Sequence, residues 1–97
     1  MKKEELIKYW IETAEEDYKT VKSMVETKNN NWALFIAHLV IEKLLKAYYV
    51  KIHNTNPPKI HDLYRLCKLS NIDLNDEKEK NLILFTTFQI EARYQDL

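Results

Sequence analysis

The sequence predicts an all-helical bundle that forms a single domain over residues 1–97. The chain contains no glycine, and tight hairpin turns and phosphate-cradling loops both depend on glycine because it adopts positive φ without steric cost. A P-loop or a glycine-rich dinucleotide-binding turn is therefore excluded, and an all-β fold is disfavoured. With 45% hydrophobic and 31% charged residues, the composition is that of an ordinary globular protein.

The first helix is predicted from about Lys3 to Thr27, because its apolar residues recur at intervals of three and four. Asp17 falls inside the edge of this apolar stripe. Its carboxylate either has a partner there, since burial without one costs desolvation energy, or lies on an exposed flank. The stripe consists of Ile7, Trp10, Ile11, Ala14, Tyr18, Val21 and Val25.

The second helix is predicted from Trp32 to about Ile52, with Asn30 or Asn31 as its cap. It is the most apolar segment, so we expect it to be the central helix. One wide arc of its helical wheel holds only apolar residues and Tyr48. That arc contains Ala33, Leu34, Ile36, Ala37, Val40, Ile41, Leu44, Ala47 and Tyr48.

The opposite side of the second helix carries a polar stripe. Its members gather within about 80° of one another because of the 3.6-residue turn. Two interpretations stay open: a solvated face with ordinary ion pairs, or a functional face on the least mobile element. The stripe comprises His38, Glu42, Lys46, Tyr49 and His53.

A short third helix is predicted from Ile60 to Leu69, after Pro57 and Pro58 end the second. Asp62 suits the positive start of this helix, whereas His61 beside it has no explanation from position alone. The residues expected to be buried are Ile60, Leu63, Leu66 and Cys67.

The fourth helix is predicted to follow a turn in which Asp73 or Asn75 is the cap, and to run to about Tyr94. It has two apolar faces. One face, Leu82, Phe85, Phe88 and Ala92, can serve the core. The other face needs a further helix or a second subunit, and we expect it to be a homodimer face: Ile83, Ile90 and Tyr94.

Charge is neutral overall but uneven along the chain. Residues 31–68 hold six Lys or Arg against two acids, a local surplus of +4, which permits an anionic partner without requiring one. The single cysteine, Cys67, cannot form an internal disulfide, and no Cys/His spacing suggests a metal site. We expect no cofactor. Without a signal peptide or a long apolar run, we expect a cytoplasmic location and no membrane partner.

Four segments in this order resemble the HEPN domain family (higher eukaryotes and prokaryotes nucleotide-binding). They are "AEEDY", "FIAHLVIEKLLKAYYV", "PPKIHDLYRL" and "EARYQD", and together they cover essentially the whole chain. The resemblance implies an up-and-down bundle of four or five helices that often dimerises through the last ones. It also implies frequent pairing with a small nucleotidyltransferase, and many members are toxins of toxin–antitoxin systems.

The nuclease members that the chain resembles use an Arg followed four to six residues later by His, placed across a dimer interface, to cut RNA without a metal. In some paired members, an Arg-x4-His-x-Tyr version carries a Tyr that the partner transferase modifies. Arg93 matches the Arg by position, but the four residues after it include no His. The helix usual after this segment is also missing or very short, so we expect either a short family member or a chain that continues past Leu97.

Three functions follow as hypotheses. The first is a nucleotide- or RNA-binding subunit acting with a nucleotidyltransferase partner, in which Lys46, His61, Arg93 and Tyr94 contact the ligand. The second is a metal-independent ribonuclease toxin acting as a dimer, with Arg93 as its candidate catalytic residue. Because Arg cannot accept a proton from a ribose hydroxyl, this second hypothesis needs another base. His38 or His61 could in principle substitute, although no motif supports either. The third is a non-catalytic helical scaffold or dimerisation protein.

Overall fold

In the computed structural model, residues 2–81 are described, and their regular elements are all helical. Helix α1 spans Lys3–Glu26, α2 spans Asn30–His53 and α3 spans Leu63–Leu69. The chain is helical again over 76–81, up to the last described residue. The all-helical class and the first three helices are confirmed, whereas the predictions for residues 82–97 lie outside the described residues.

The α1–α2 turn achieves a tight reversal without glycine. Lys28 adopts a left-handed conformation with φ 59°. Its N–H donates to Val25 O at 3.1 Å, and the N–H of Asn29 donates to Met24 O at 2.8 Å, which is the paired pattern of a Schellman motif. Asn29 occupies the N-cap of α2 without a side-chain cap bond. The predicted cap at Asn30 or Asn31 is therefore wrong, because the helix begins at Asn30, two residues before the predicted start at Trp32.

Helices α1 and α2 pack antiparallel. Lys43 Nζ reaches Asp17 Oδ2 at 2.6 Å, and both side chains are mostly buried, at 19% and 23% exposed. One turn further along α2, Lys46 Nζ lies 5.3 Å from the centre of the Trp10 ring. Asp17 thus has the partner that its place at the edge of the stripe requires.

The segment leading into α3 returns along α2 before the helix forms. The His61 carbonyl lies 3.0 Å from His38 Nε2, and the Leu69 carbonyl lies 2.6 Å from His53 Nε2. Residues 61–69 therefore advance in the same direction as α2. Asp62 is the N-cap of α3, and its Oδ1 accepts the N–H of Arg65 at 3.2 Å. The predicted helix start at Ile60 is three residues too early, so Asp62 caps the helix and does not lie within its first turn.

The core of the described residues is centred on α2, which packs against α1 on one side and α3 on another. Leu63, Leu66 and Cys67 are buried as predicted, whereas Ile60 is half-buried and precedes the helix. The apolar arc of α2 is divided: Ala33 and Ala47 are buried, but four larger members of the arc are exposed. Those four are Leu34, Ile41, Leu44 and Tyr48. The reason is that α2 directs part of its polar stripe inward.

The turn after α3 repeats the device at the end of α1. Asn71 takes φ 58°, and the N–H of Ile72 donates to Cys67 O at 2.9 Å, so α3 also ends in a Schellman motif. Asn75 then caps the helix that begins at residue 76, since its Oδ1 accepts the N–H of Lys78 at 2.8 Å. Of the two predicted caps, Asn75 is the one used.

Candidate anion-binding site around His61

Three members of the polar stripe are buried inside the bundle. His38, Glu42 and Lys46 are only 5%, 4% and 6% exposed. They occupy successive turns of α2, at intervals of four residues, so their side chains form one column along the helix. The interpretation of the polar stripe as a solvated face is therefore wrong for these three residues.

The Glu42 carboxylate is the centre of this column. Its Oε2 accepts from Lys46 Nζ at 3.0 Å, and its Oε1 accepts from His61 Nδ1 at 2.8 Å. His38 Nε2 lies 3.8 Å from the same Oε1. A buried carboxylate is tolerated only when it is paired and hydrogen-bonded, and both oxygens of Glu42 meet that condition.

The other two stripe residues lie nearer the C-terminal end of α2. Tyr49 is half-buried, and its ring centre lies 4.3 Å from that of His53. His53 is exposed, and its Nε2 donates to the Leu69 carbonyl at 2.6 Å. This pair fixes the end of α3 against α2 and takes no part in the Glu42 cluster.

His61 is the member of the Glu42 cluster that reaches solvent. Its side chain is 65% exposed although Nδ1 is bonded to a carboxylate that is 5% exposed. The backbone of the same residue is fixed independently, because His38 Nε2 donates to the His61 carbonyl at 3.0 Å. The imidazole therefore stands at the surface in one orientation.

Exposed basic residues flank this imidazole along the chain. We call Lys59, His61, Arg65 and Lys68 the basic surface; all four are exposed. Arg65 and Lys68 lie on α3 three residues apart, a spacing that keeps side chains on one side of a helix, and His61 lies just before the N-cap of this helix. Asp62 is the acid within this segment, and it is engaged in capping α3.

Lys68 has a different environment from Arg65. Its Nζ lies 5.2 Å from the centre of the Tyr64 ring. The Tyr64 hydroxyl, ahead of the charges of Glu79 and Asp73, raises the pKa of the Lys68 ammonium. Since these acids offset part of its attraction for an anion, Lys59, His61 and Arg65 are the stronger anion contacts of the basic surface.

The family model described as HEPN domain matches residues 7–97, nearly the whole chain. The chain belongs to the HEPN family. A search of curated proteins and a search of solved structures each found no significant match. Membership indicates a helical protein whose function involves nucleotides or RNA. Within residues 2–81, no helix is long and apolar enough to cross a membrane.

The predicted ligand contacts of this HEPN domain fall into two groups. Lys46 and His61 both contact Glu42, which brings them together at one carboxylate. Arg93 and Tyr94 lie outside the described residues, as do the predicted dimer-face residues Ile83 and Ile90. Lys46 as a ligand contact stays a prediction, and the structure gives its ammonium a structural partner in Glu42.

Sequence reasoning missed the role of Glu42 and the candidacy of Arg65. Glu42 was visible only as one member of a stripe, and Arg65 only as one charge in the local surplus. The occurrence of Lys59, His61, Arg65 and Lys68 within ten residues of sequence is the signal that could have identified this surface of the HEPN domain. In the part of the chain that the structure describes, no group of three or more His, Cys, Asp or Glu side chains is arranged to hold a metal ion.

Proposed function

We propose that this HEPN domain is a nucleotide- or RNA-binding subunit that acts with a small nucleotidyltransferase partner in a toxin–antitoxin-like pair. The basic surface is the observation that supports nucleotide or RNA binding. Lys43 and Lys46 are used in ion pairs with Asp17 and Glu42. Lys59 and Arg65, in contrast, are exposed and make no ion pair within residues 2–81.

The contrast between the ion-paired Lys43 and Lys46 and the exposed Lys59 and Arg65 supports binding of an anion more strongly than the local charge surplus alone. Within residues 2–81, Glu42 lies inside the bundle and Asp62 caps α3, while Asp73 and Glu79 act on Lys68. Lys59 and Arg65 are therefore the cations of the basic surface that face solvent without an ion-paired carboxylate. Arg65 supplies a planar fork suited to a phosphate oxygen pair. Tyr64, half-buried beside it, offers an aromatic ring of the kind on which bases stack.

The partner and the complete architecture are parts of the same proposal. We propose a nucleotidyltransferase partner, a toxin–antitoxin role and a homodimer because the family resemblance implies them, and we also propose a cytoplasmic location. We further propose that the helix beginning at residue 76 completes a four-helix bundle in one domain. In this bundle α1 and α2 run up and down, whereas the short α3 departs from the up-and-down order because it runs in the same direction as α2. Arg93 and Tyr94 remain proposed ligand contacts, and Ile83, Ile90 and Tyr94 remain the proposed dimer face.

Calorimetric titration with ATP and with a short single-stranded RNA tests the binding part. We expect heat of binding at low salt and a weaker affinity at moderate salt, because phosphate contacts release counterions. Arg65→Gln should weaken binding several-fold. Absence of heat with both ligands at both salt concentrations would refute it. Gel analysis of the RNA in EDTA afterwards tests the ribonuclease alternative, which predicts cleavage that depends on Arg93.

A matched pair of lysines separates the basic surface from general positive charge. Lys22 Nζ lies 5.0 Å from the Tyr18 ring on α1, much as Lys68 Nζ lies 5.2 Å from the Tyr64 ring on α3. Both are exposed. Lys68→Gln should weaken RNA binding modestly, whereas Lys22→Gln should not. Equal losses in both variants would show that net charge alone governs binding.

A scaffold function is the second candidate, and exposed apolar residues favour it. They recur every seven residues on α1 (Ile11, Tyr18, Val25) and on α2 (Leu34, Ile41, Tyr48) and are 37–55% exposed. Seven-residue spacing is typical of a seam that packs against another helix. Light scattering of the wild type and of Ile41→Glu tests this function. A wild-type monomer at high concentration would argue against an obligate homodimer.

A further inference from the structure

The orientation of the His61 ring fixes which of its nitrogens faces the solvent. A carboxylate only accepts hydrogen bonds, so the bond between Nδ1 and Glu42 Oε1 at 2.8 Å requires a proton on Nδ1. The neutral ring then carries its lone pair on Nε2. The exposed nitrogen of neutral His61 is therefore an acceptor and not a donor.

This assignment makes the exposed edge of the ring sensitive to protonation. An unrestrained histidine can change tautomer and donate from Nε2 while neutral. Held by Glu42, His61 can donate from Nε2 only as the imidazolium. A phosphate oxygen, which is also an acceptor, is repelled by the neutral form and attracted by the charged one.

We propose that His61 is a proton-dependent contact for a phosphate group, switched by protonation at Nε2 while Glu42 holds Nδ1. The proposal rests on the proposed binding function and adds to it a regulation by pH. Phosphate is the shared chemistry of a free nucleotide and of RNA. Arg65, four residues later in the first turn of α3, is the cation of the basic surface that stays charged at every relevant pH.

The charged and titratable groups around His61 come mainly from α2. Glu42 contacts the ring, Lys46 bonds the other oxygen of that carboxylate, and His38 bonds the His61 backbone. On its own segment, Asp62 and Arg65 follow. From α1, the Trp10 ring contacts Lys46, while Asp17 is paired with Lys43.

His53 provides an internal comparison. Its ring is also exposed and also makes a hydrogen bond, but Nε2 donates to the Leu69 carbonyl at 2.6 Å. No carboxylate contacts the ring within residues 2–81. His53 therefore fixes backbone, and it lies outside the basic surface.

The test is the affinity for a labelled short RNA, for ATP and for inorganic phosphate across about pH 5.5 to 8.5 at constant ionic strength. We expect the wild-type affinity for RNA to fall about tenfold over this range, the scale of one lost charge-assisted contact. The ATP and phosphate arms show whether a single phosphate group suffices or a polynucleotide is needed.

Three variants separate the switch from other titrations. His61→Asn keeps a donor toward Glu42 and removes Nε2, so its affinity for RNA, whose phosphodiesters keep a constant charge over this range, should be low and independent of pH. His61→Gln places a neutral donor near the Nε2 position, so its affinity should be intermediate and also independent of pH. His53→Gln keeps the bond to Leu69 and should retain the wild-type pH dependence.

The outcomes distinguish the two proposals. A wild type that binds none of the three ligands at any pH refutes the binding function itself. Binding with the same pH dependence in His61→Asn overturns the switch alone and assigns the titration to another group, such as His38. Loss of the pH dependence in His53→Gln overturns it too. Circular dichroism of each variant at both ends of the pH range verifies that the fold is intact.

Discussion

Glu42 and His61 form a hydrogen bond of 2.8 Å that joins the middle of α2 to the segment preceding α3. One partner is almost completely buried and the other is mostly exposed. The buried charge of Glu42 is therefore in contact with the surface side chain of His61 through one hydrogen bond. The same carboxylate stabilises the interior and orients the ring that we propose contacts phosphate.

The Glu42–Lys46 pair should be costly to break from one side. Lys46→Met leaves a buried carboxylate without its ammonium, so we expect a loss of about 3–5 kcal/mol in unfolding free energy. The double variant Glu42→Leu/Lys46→Met should lose less than either single variant, since no buried charge is left unpaired. Urea unfolding measures all three. Single variants that cost under about 1 kcal/mol would show that the pair is not buried in solution.

The Asp17–Lys43 pair should contribute measurably to the α1–α2 contact. Its side chains are 23% and 19% exposed, whereas those of the Glu16–Lys19 pair are both 72% exposed. Asp17→Asn should therefore cost about 1–2 kcal/mol and Glu16→Gln less than about 0.5 kcal/mol. Thermal unfolding of both variants at low and at high salt compares them. Equal effects would contradict the antiparallel contact.

Replacement of Lys28 by glycine should stabilise the protein. The φ of 59° at Lys28 places its backbone in the left-handed region, which costs a residue with a Cβ about 1–2 kcal/mol. Part of this gain is offset by the greater freedom of glycine in the unfolded chain. Lys28→Gly should raise the unfolding free energy by roughly 0.5–1 kcal/mol. Lys22→Gly, within α1, should lower it by about 1 kcal/mol, and a loss in both variants would contradict the Schellman turn.

Cys67 should be unreactive in the folded protein. Burial raises the pKa of its thiol above the usual value of 9.0, and the thiolate is the reactive form. Alkylation at mildly alkaline pH should be slow in buffer and fast in urea. Because the unfolded chain loses this proton at a lower pH than the folded one, the cysteine lowers stability as pH rises through the unfolded pKa. Equal alkylation rates in buffer and urea would contradict the buried position.

Apolar periodicity and helix-breaking prolines predicted the existence of the helices, because both signals depend on residues that are close together in sequence. The stripe of α1 and the prolines before α3 each depend on residues within a few turns, and the Asp62 cap depends on its own segment alone. The partner of Asp17 could be anticipated as a need but not identified, because Lys43 lies 26 positions away.

The helical wheel of α2 could not predict which side of this helix faces the interior of the bundle. A wheel separates polar from apolar arcs, but it does not show which arc meets the neighbouring helices. The burial of Glu42 depends on His61, 19 positions later, and such long-range contacts leave no local pattern. The left-handed Lys28 was unpredictable for another reason, since lysine rarely adopts that conformation.

The most direct test of the account is to map the RNA-binding site by amide chemical-shift changes during titration. Within residues 2–81, the changes should concentrate over 59–68 and extend to Glu42 through its bond with His61. The α1–α2 turn at 27–32 should stay unchanged and serves as the internal control. Changes confined to that turn or to α1, with none over 59–68, would contradict the central claim that the basic surface binds the ligand.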